Sequence, residues 1–154
     1  EDTAQSLTAR LFQRGASLLP ETLARWARGE IIPVPQDERQ ATVTHLVHKE
    51  DGQVEWRLPA VRLARMVRAY DPWPGVYTLW EGKLLKLVEV MPRQEAPWGE
   101  PPGTVVPSPP SGVGVVTGEG LLEVRRFQLE GRRPLTAEQF LQGSRGFLGS
   151  HLPS

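Results

Sequence analysis

Any chemistry this chain performs would have to come from a short stock of histidines, carboxylates, hydroxyls and cations. His45 and His48 are three apart, and His151 is the only other histidine. No carboxylate falls at a ligand spacing that would complete a zinc site with them. Glu50 and Asp51 are adjacent, but they sit in the turn-like run Lys49-Glu50-Asp51-Gly52, where solvation is expected rather than an acid/base partnership. Ser144 and Ser150 have no base in their sequence context. Gly112-Val113-Gly114 and Gly118-Glu119-Gly120 lack the strand–loop–helix grammar of a phosphate loop and read as turns. What remains is cationic. Lys83 and Lys86 fall on a candidate hairpin, Arg125-Arg126 on a strand, Arg132-Arg133 on the turn after it, and Arg145 beyond the last helix. Side chains of this type on a small β-barrel can hold nucleic-acid phosphates, and they carry no catalysis of their own.

The composition narrows the field further. A chain of 154 residues fits one domain, or a small domain with a piece of another. Hydrophobic residues make up 39% and charged residues 23%, which excludes a disordered or membrane-spanning chain, and no signal-peptide pattern is present. The absence of cysteine removes disulfides, thiolate metal sites and a thiol nucleophile, and suits a cytoplasmic home. Formal net charge is zero, so there is no overall pull towards nucleic acid. The acidic residues slightly outnumber the basic ones before residue 60, and the balance reverses after it. Lys49, Lys83 and Lys86 are the only lysines among 18 basic residues; the rest are arginine, which suits phosphate contacts.

The elements that must position these cations centre on Asp71-Pro72-Trp73-Pro74-Gly75. Two prolines without N–H groups cannot lie inside a helix or a central strand, so the pentapeptide reads as a rigid corner. Before it, Val61 to Tyr70 has helical spacing, with Leu63, Met66, Val67 and Tyr70 on one side and Arg62, Arg65 and Arg68 on the other. After it, Val76–Trp80 and Lys83–Val90 form a hairpin around Glu81-Gly82. Met91 to Pro102, with its prolines Pro92, Pro97, Pro101 and Pro102, reads as a loop, and Pro107 to Gly112 as another. Gly103–Val106, Val113–Thr117 and Leu121–Leu129 follow as strands. In the last of these Leu122 and Val124 share one parity and Phe127 and Leu129 the other, so a β-bulge at Arg125-Arg126 is expected. Thr136 to Leu141 is a helix, with a Thr136/Gln139 capping box and a Leu135/Phe140 staple. Residues 146–154 read as a tail. The fold class is therefore α+β: a small OB-like antiparallel barrel with short helices.

The N-terminal part reads differently. Asp2 with Gln5 offers a cap, and Ala4, Leu7 and Leu11 make an apolar stripe that Gly15 is expected to interrupt. A second helix then carries Leu19, Leu23 and Trp26 on one face, with Pro20 in its first turn and Gly29 as its stop. No sheet nearby would cover these stripes, which is the expectation for a cut from something longer. Ile31 to Asp37 reads as an extended linker and Thr42 to His48 as a short edge strand.

Taken in order, several segments resemble one family: EDTAQSLTARL, VPQDERQATVTHLVHKEDGQVEW, VRAYDPWPGVYT, PPGTVV, VVTGEGLLEVRRFQLEGRRPLTAEQFLQG and a terminal GSHL. Over nearly its whole length the chain is similar to the C-terminal half of the methionyl-tRNA formyltransferases. That resemblance implies an enzyme with a Rossmann-like domain that binds 10-formyltetrahydrofolate and carries a catalytic Asn, His and Asp. It also implies a linker and an OB-like domain that helps hold initiator Met-tRNA. On this mapping residues 1–35 are the last helical part of the catalytic domain, 36–60 the linker and 61–150 the barrel domain. The catalytic residues and the folate pocket would precede residue 1, so the chain alone is expected to be non-catalytic, to hold no cofactor and no metal, and to bind tRNA. The cations the resemblance singles out are Lys49 in the linker's lysine–acid turn, Arg68 before the corner, and the Arg132-Arg133 pair; Lys83, Lys86, Arg126 and Arg145 complete the expected interface. The linker segment VTHLVHKE carries less lysine than many relatives have there. The resemblance further implies a monomeric, cytoplasmic parent without a membrane partner, while the uncovered apolar stripes of residues 1–29 are expected to allow packing against a second copy. The alternatives are a sugar-nucleotide formyltransferase, which can share the DPWPG corner, and a free-standing OB-like module. Glu130 to Gly143 looks like the tRNA enzymes rather than the sugar enzymes.

Overall fold

The computed structural model describes residues 2–95, 99–110 and 112–154, in two compact units that meet between Val47 and His48. In the first unit, Ala4–Ala27 forms one helix (α1), not the expected two. Its cap is Thr3, which accepts from the Ser6 N–H while Ser6 accepts in return, so the Asp2/Gln5 arrangement is corrected by one residue. Gly15 and Pro20 lie inside the helix. Such residues cost about 1 and 3 kcal/mol in a helix interior, local terms that the cooperativity of 24 residues outweighs. No residue of α1 is buried, and Leu11, Phe12, Leu18, Leu19 and Trp26 are more than half exposed. The edge strand expected over Thr42 to His48 is not formed; those residues have no regular structure.

The second unit begins at His48 rather than at residue 61. Residues 48–60 belong to it because Val54 and Trp56 are buried in its core and the Val54 N–H donates to the Tyr77 carbonyl at 2.9 Å. Helix α2 (Ala60–Ala69) buries Leu63, Ala64 and Val67, as the spacing requires. The Asp71–Gly75 corner then delivers the chain to β1 (Val76–Trp80) and β2 (Lys83–Arg93), which pair around a turn in which Glu81 and Gly82 both have positive φ. Turns of that kind match the right-handed twist of the strands they join.

Strands β3 (Val105–Val106), β4 (Gly114–Val116), β5 (Leu121–Leu129) and β6 (Leu135–Thr136) complete a six-stranded antiparallel sheet. Its order is β1-β2-β5-β4-β3, with β6 also on β5. The long strand β5 is the hub, paired with β2 along one edge and with β4 and then β6 along the other. Its register against β2 shifts twice, from Leu87↔Phe127 to Glu89↔Arg126 and then to Val90↔Val124. Val88 is thus extra on β2 and Arg125 extra on β5, and the bulge lets Leu122, Val124 and Phe127 all reach the core. Helix α3 (Ala137–Gly143) has the expected Thr136/Gln139 capping box.

Residues 146–154 are not a tail. Phe147 and Leu152 are fully buried, and the segment runs along β3: the Val105 N–H donates to the Ser150 carbonyl, and the Leu152 N–H to the Gly103 carbonyl. At its far end the Thr78 hydroxyl of β1 donates to the Pro153 carbonyl at 2.7 Å. The segment therefore spans from one edge strand, β3, to the other, β1. The class is α+β, as the sequence implies. Among the described residues the named strands end at β1 and β3, and single bridges extend both: Gln53 beside Tyr77 of β1, and His151 of the C-terminal segment beside Thr104 at β3.

Candidate nucleic-acid interface

All eight cations singled out from the sequence lie in the second unit, and the structure gathers most of them into two places on it. The first is the proline corner. Lys49 opens a single 3-10 turn, Lys49–Gly52, whose Gly52 is pressed so closely against the Gly75 carbonyl and the Pro74 ring that a Cβ there would collide. Lys86 lays its stem over Gly75 and donates from Nζ to the Pro72 carbonyl at 3.1 Å. Arg68 occupies the last turn of α2 and reaches back to the Ala64 carbonyl; the Gly75 N–H in turn donates to the Tyr70 carbonyl at the end of that helix. Lys86 thus lies on the corner itself, Lys49 and Arg68 belong to the turn and the helix that flank it, and Trp73 at its tip is 60% exposed. The reach of Lys86 is partly taken up in fastening this corner, a structural duty that its place on a hairpin did not foretell.

The second place is the far end of the sheet. Glu130 receives the Leu84 N–H on its carboxylate, and the Glu130 N–H donates to the Leu84 carbonyl. This ties the β1–β2 turn, with Lys83, to the β5–β6 turn, with exposed Arg132 and Arg133. Both arginines line a groove of ≈ 440 Å³ whose other wall is α3, through Gln139, Phe140, Gly143 and Ser144. Arg145 follows Ser144 and is exposed. Trp80, Phe127, Phe140 and Phe147 form an aromatic cluster in the core of this end, with ring centroids 4.9–5.5 Å apart, so the turns that carry the cations are mounted on a packed base.

One row of side chains links the two places. Tyr77, Lys86 and Gln128 are register partners across β1, β2 and β5, and Gln128 Nε2 donates to the Arg132 carbonyl at 3.1 Å. The outer face of these strands therefore sets side by side Lys86, fastened to the Pro72 carbonyl, and Gln128, fastened to the arginine turn. Arg126, two residues from Gln128 and exposed, lies beside this row; Glu89 is its register partner, but that carboxylate approaches Arg125, at 3.9 Å.

Arg125 is different in kind. It donates from Nε to Glu123 at 3.0 Å, while Arg93 donates to the other oxygen of the same carboxylate at 2.6 Å. Glu123 has no exposed surface. Burial alone would raise its pKa, but the hydrogen bonds from Arg125 and Arg93 outweigh that and hold it below the ordinary glutamate value. Arg125 is therefore spent on a structural ion cluster and does not share the free exposure of Arg126. Sequence reasoning missed this cluster. The parity change at Arg125 was the available signal, because it separates the two adjacent arginines onto different environments.

Several of the other candidates are held in turns. The His48 N–H donates to Asp51 at 2.8 Å, so Asp51 caps the turn beside Lys49. The Ser150 hydroxyl donates to the Phe147 carbonyl at 2.6 Å. Thr117 and Gly118 fasten the Gly118–Gly120 turn, and the Ala60 N–H donates to the Glu119 carbonyl, which anchors the start of α2. Among the described residues no group of three or more His, Asp or Glu is placed to hold a metal ion, and no helix is long and apolar enough to cross a membrane.

The fold defines an α+β domain built on an antiparallel sheet whose outer face carries basic residues. Residues 46–145 match the family model for the formyl transferase C-terminal domain, and the chain belongs to that family. It is 46% identical over 140 residues to the methionyl-tRNA formyltransferase of Roseiflexus castenholzii, covering 91% of this chain and 44% of that protein. The methionyl-tRNA formyltransferase of Anaeromyxobacter sp. is 41% identical over 148 residues, covering 94% of this chain and 47% of that protein. The chain thus spans a little under half the length of these relatives, and the resemblance to the C-terminal half of the methionyl-tRNA formyltransferases stands. Among solved structures, a variant of HypX from Aquifex aeolicus superposes with a TM-score of 0.62 at 23% identity, over 91% of this chain and 26% of that one. HypX in complex with tetrahydrofolic acid gives 0.58 at 23% identity, over 86% and 23%. At that identity the likeness speaks for the fold.

Proposed function

We propose that this chain is the tRNA-holding part of a methionyl-tRNA formyltransferase, acting in the cytoplasm in translation initiation. On this reading the outer face of β1, β2 and β5 grips the initiator Met-tRNA while a formyltransferase domain, supplied from outside these residues, transfers formyl from 10-formyltetrahydrofolate. The observation that carries it is the line from the proline corner through Lys86 and Gln128 to Arg132, which lets Lys49, Arg68, Lys83, Arg126, Arg132, Arg133 and Arg145 serve one extended backbone rather than separate points. The names of the relatives support the same substrate. Residues 1–35 belong on this reading to the formyltransferase domain, whose sheet would cover the apolar side of α1, and the residues from 36 lead to the compact unit. The chain alone supplies no formyl-transfer chemistry, so given Met-tRNA and 10-formyltetrahydrofolate it leaves the amine unmodified.

Phosphate contacts release counterions, and this makes the reading measurable. On this reading the two adjacent guanidiniums, which line the same groove, take two phosphates of one backbone. Changing Arg132 and Arg133 together to alanine is expected to weaken binding to every tRNA tested, initiator or elongator. It is also expected to shallow the slope of log K against log salt by up to about 1.5 units. Stability should stay within about 0.5 kcal/mol, because both side chains are exposed. Fluorescence titrations at several salt concentrations give both numbers. An unchanged affinity and slope in a folded double variant would remove this turn from the interface.

A further inference from the structure

Trp73 is an aromatic side chain that the fold positions and does not use. In the same unit Trp56 is 1% exposed, and Trp80 packs edge-on against Phe140 and Phe147 at 5.5 and 5.3 Å. Trp73 stands 60% exposed between Pro72 and Pro74, whose rings fix φ on both sides of it. The corner beneath is held from three directions: by the Lys86 ammonium on the Pro72 carbonyl, by the Gly52 turn on Pro74 and Gly75, and by the Gly75 N–H on the Tyr70 carbonyl. The indole therefore has a firm mount and little backbone freedom to lose, and the elements that hold the corner carry Lys49, Arg68 and Lys86. A flat apolar surface on a corner whose supports carry cations, with the carboxylates Asp71, Glu50 and Asp51 among them, is complementary to one kind of ligand in particular, a base whose own phosphates reach those cations.

We propose that Trp73 is a stacking platform for an unpaired nucleobase of the bound tRNA. The backbone beside that base is held by the cations of the corner, and its path continues over Lys86 and Gln128 towards Arg132. The proposal rests on the tRNA-holding reading above and adds a contact of a different type. Stacking is sequence-tolerant and releases no counterion, so it contributes affinity without contributing to the salt slope. It also requires a base free of its duplex, which separates it from the phosphate grip.

The test compares wild type, Trp73→Ala, Trp73→Leu and Trp73→Phe in the full chain, titrated with tRNA and with a fully paired blunt RNA duplex at several salt concentrations. Circular dichroism and thermal unfolding verify that each variant keeps the fold. Losing a base stack is expected to weaken tRNA binding about 5- to 100-fold in the Ala and Leu variants, with an unchanged salt slope. The Phe variant is expected to recover most of that loss, and duplex binding is expected to be equal for all four proteins. Wild-type tRNA binding that is unaltered in Trp73→Ala would overturn the stacking contact and leave the phosphate interface standing. Equal losses for tRNA and duplex, or a Leu variant as good as Phe, would also overturn it, since apolar bulk or corner integrity would then suffice. No tRNA binding by the wild-type chain would overturn both readings together.

Discussion

Replacing Phe147 with alanine is expected to destabilise the second unit by about 3–5 kcal/mol, a large part of the ~5–15 kcal/mol that holds a typical domain together. The side chain is fully buried and meets Trp80, Phe127 and Phe140 at centroid distances of 5.3, 5.4 and 4.9 Å. Truncation removes both the transferred apolar area and three edge-on ring contacts, and the neighbouring rings are too stiff to refill the space. The consequence extends past the core. Phe147 begins the segment that pairs with β3 and reaches Thr78 on β1, and it packs against Phe140, which lines the groove that carries Arg132 and Arg133. The variant should therefore lose tRNA affinity at temperatures where wild type is still folded. Thermal unfolding followed by circular dichroism measures the effect, with a fall in Tm of more than about 10 °C expected for a unit of this size. A Tm within a few degrees of wild type would show that this segment is not part of the core.

The second large effect concerns Glu123 and grows with pH. In wild type the folded-state pKa of Glu123 is lowered, so its ionised form contributes stability above the unfolded-state pKa, and that contribution is lost as pH falls through the folded value. Removing both charges while keeping their apolar cover, Arg93→Met with Arg125→Met, leaves a buried carboxylate without compensation. The cost at neutral pH is expected to be about 3 kcal/mol. Desolvation then has no opponent and drives the folded pKa above the unfolded value, near 4.3 for glutamate. A group with a raised carboxylate pKa binds its proton more tightly in the folded state, so this part of the stability is present below about pH 4 and lost as pH rises. The double variant should accordingly be most destabilised relative to wild type at neutral pH, and least so near pH 4. Urea unfolding across pH 4–8 measures this. A constant difference between the proteins over that range would contradict the account of the cluster.

These two effects also mark where the sequence is a good guide and where it is not. The Thr136/Gln139 cap, the Glu81-Gly82 hairpin and the bulge at Arg125 are legible because each is decided by residues within a few positions of one another. The C-terminal segment is not. Residues 146–154 (GFLGSHLPS) carry no alternation, and their order comes from hydrogen bonds to Gly103 and Val105 and from rings far away in the chain. Helix α1 fails in the opposite direction, since Gly15 and Pro20 are strong local signals that a long cooperative helix overrides. The buried state of Glu123 follows from two arginines on different strands, and strict alternation along β5 gives no hint that an outward carboxylate would be covered. For the candidate interface, residue type was legible and arrangement was not. Lys86 becomes a fastening for the corner, Arg125 goes to an ion cluster, and Gln128, without charge, turns out to be the link between the corner and the arginine turn.

The central claim, that one outer face of β1, β2 and β5 holds tRNA, is tested most directly by mapping amide chemical-shift changes on the isotope-labelled chain as tRNA is added. The account predicts that the largest changes cluster at residues 49–52, 72–75, 83–86, 126–133 and 144–145, and that raising the salt concentration reverses them together. Changes that instead concentrate on β3, β4 and the segment 147–152, with Lys86, Gln128 and Arg132 unmoved, would contradict it.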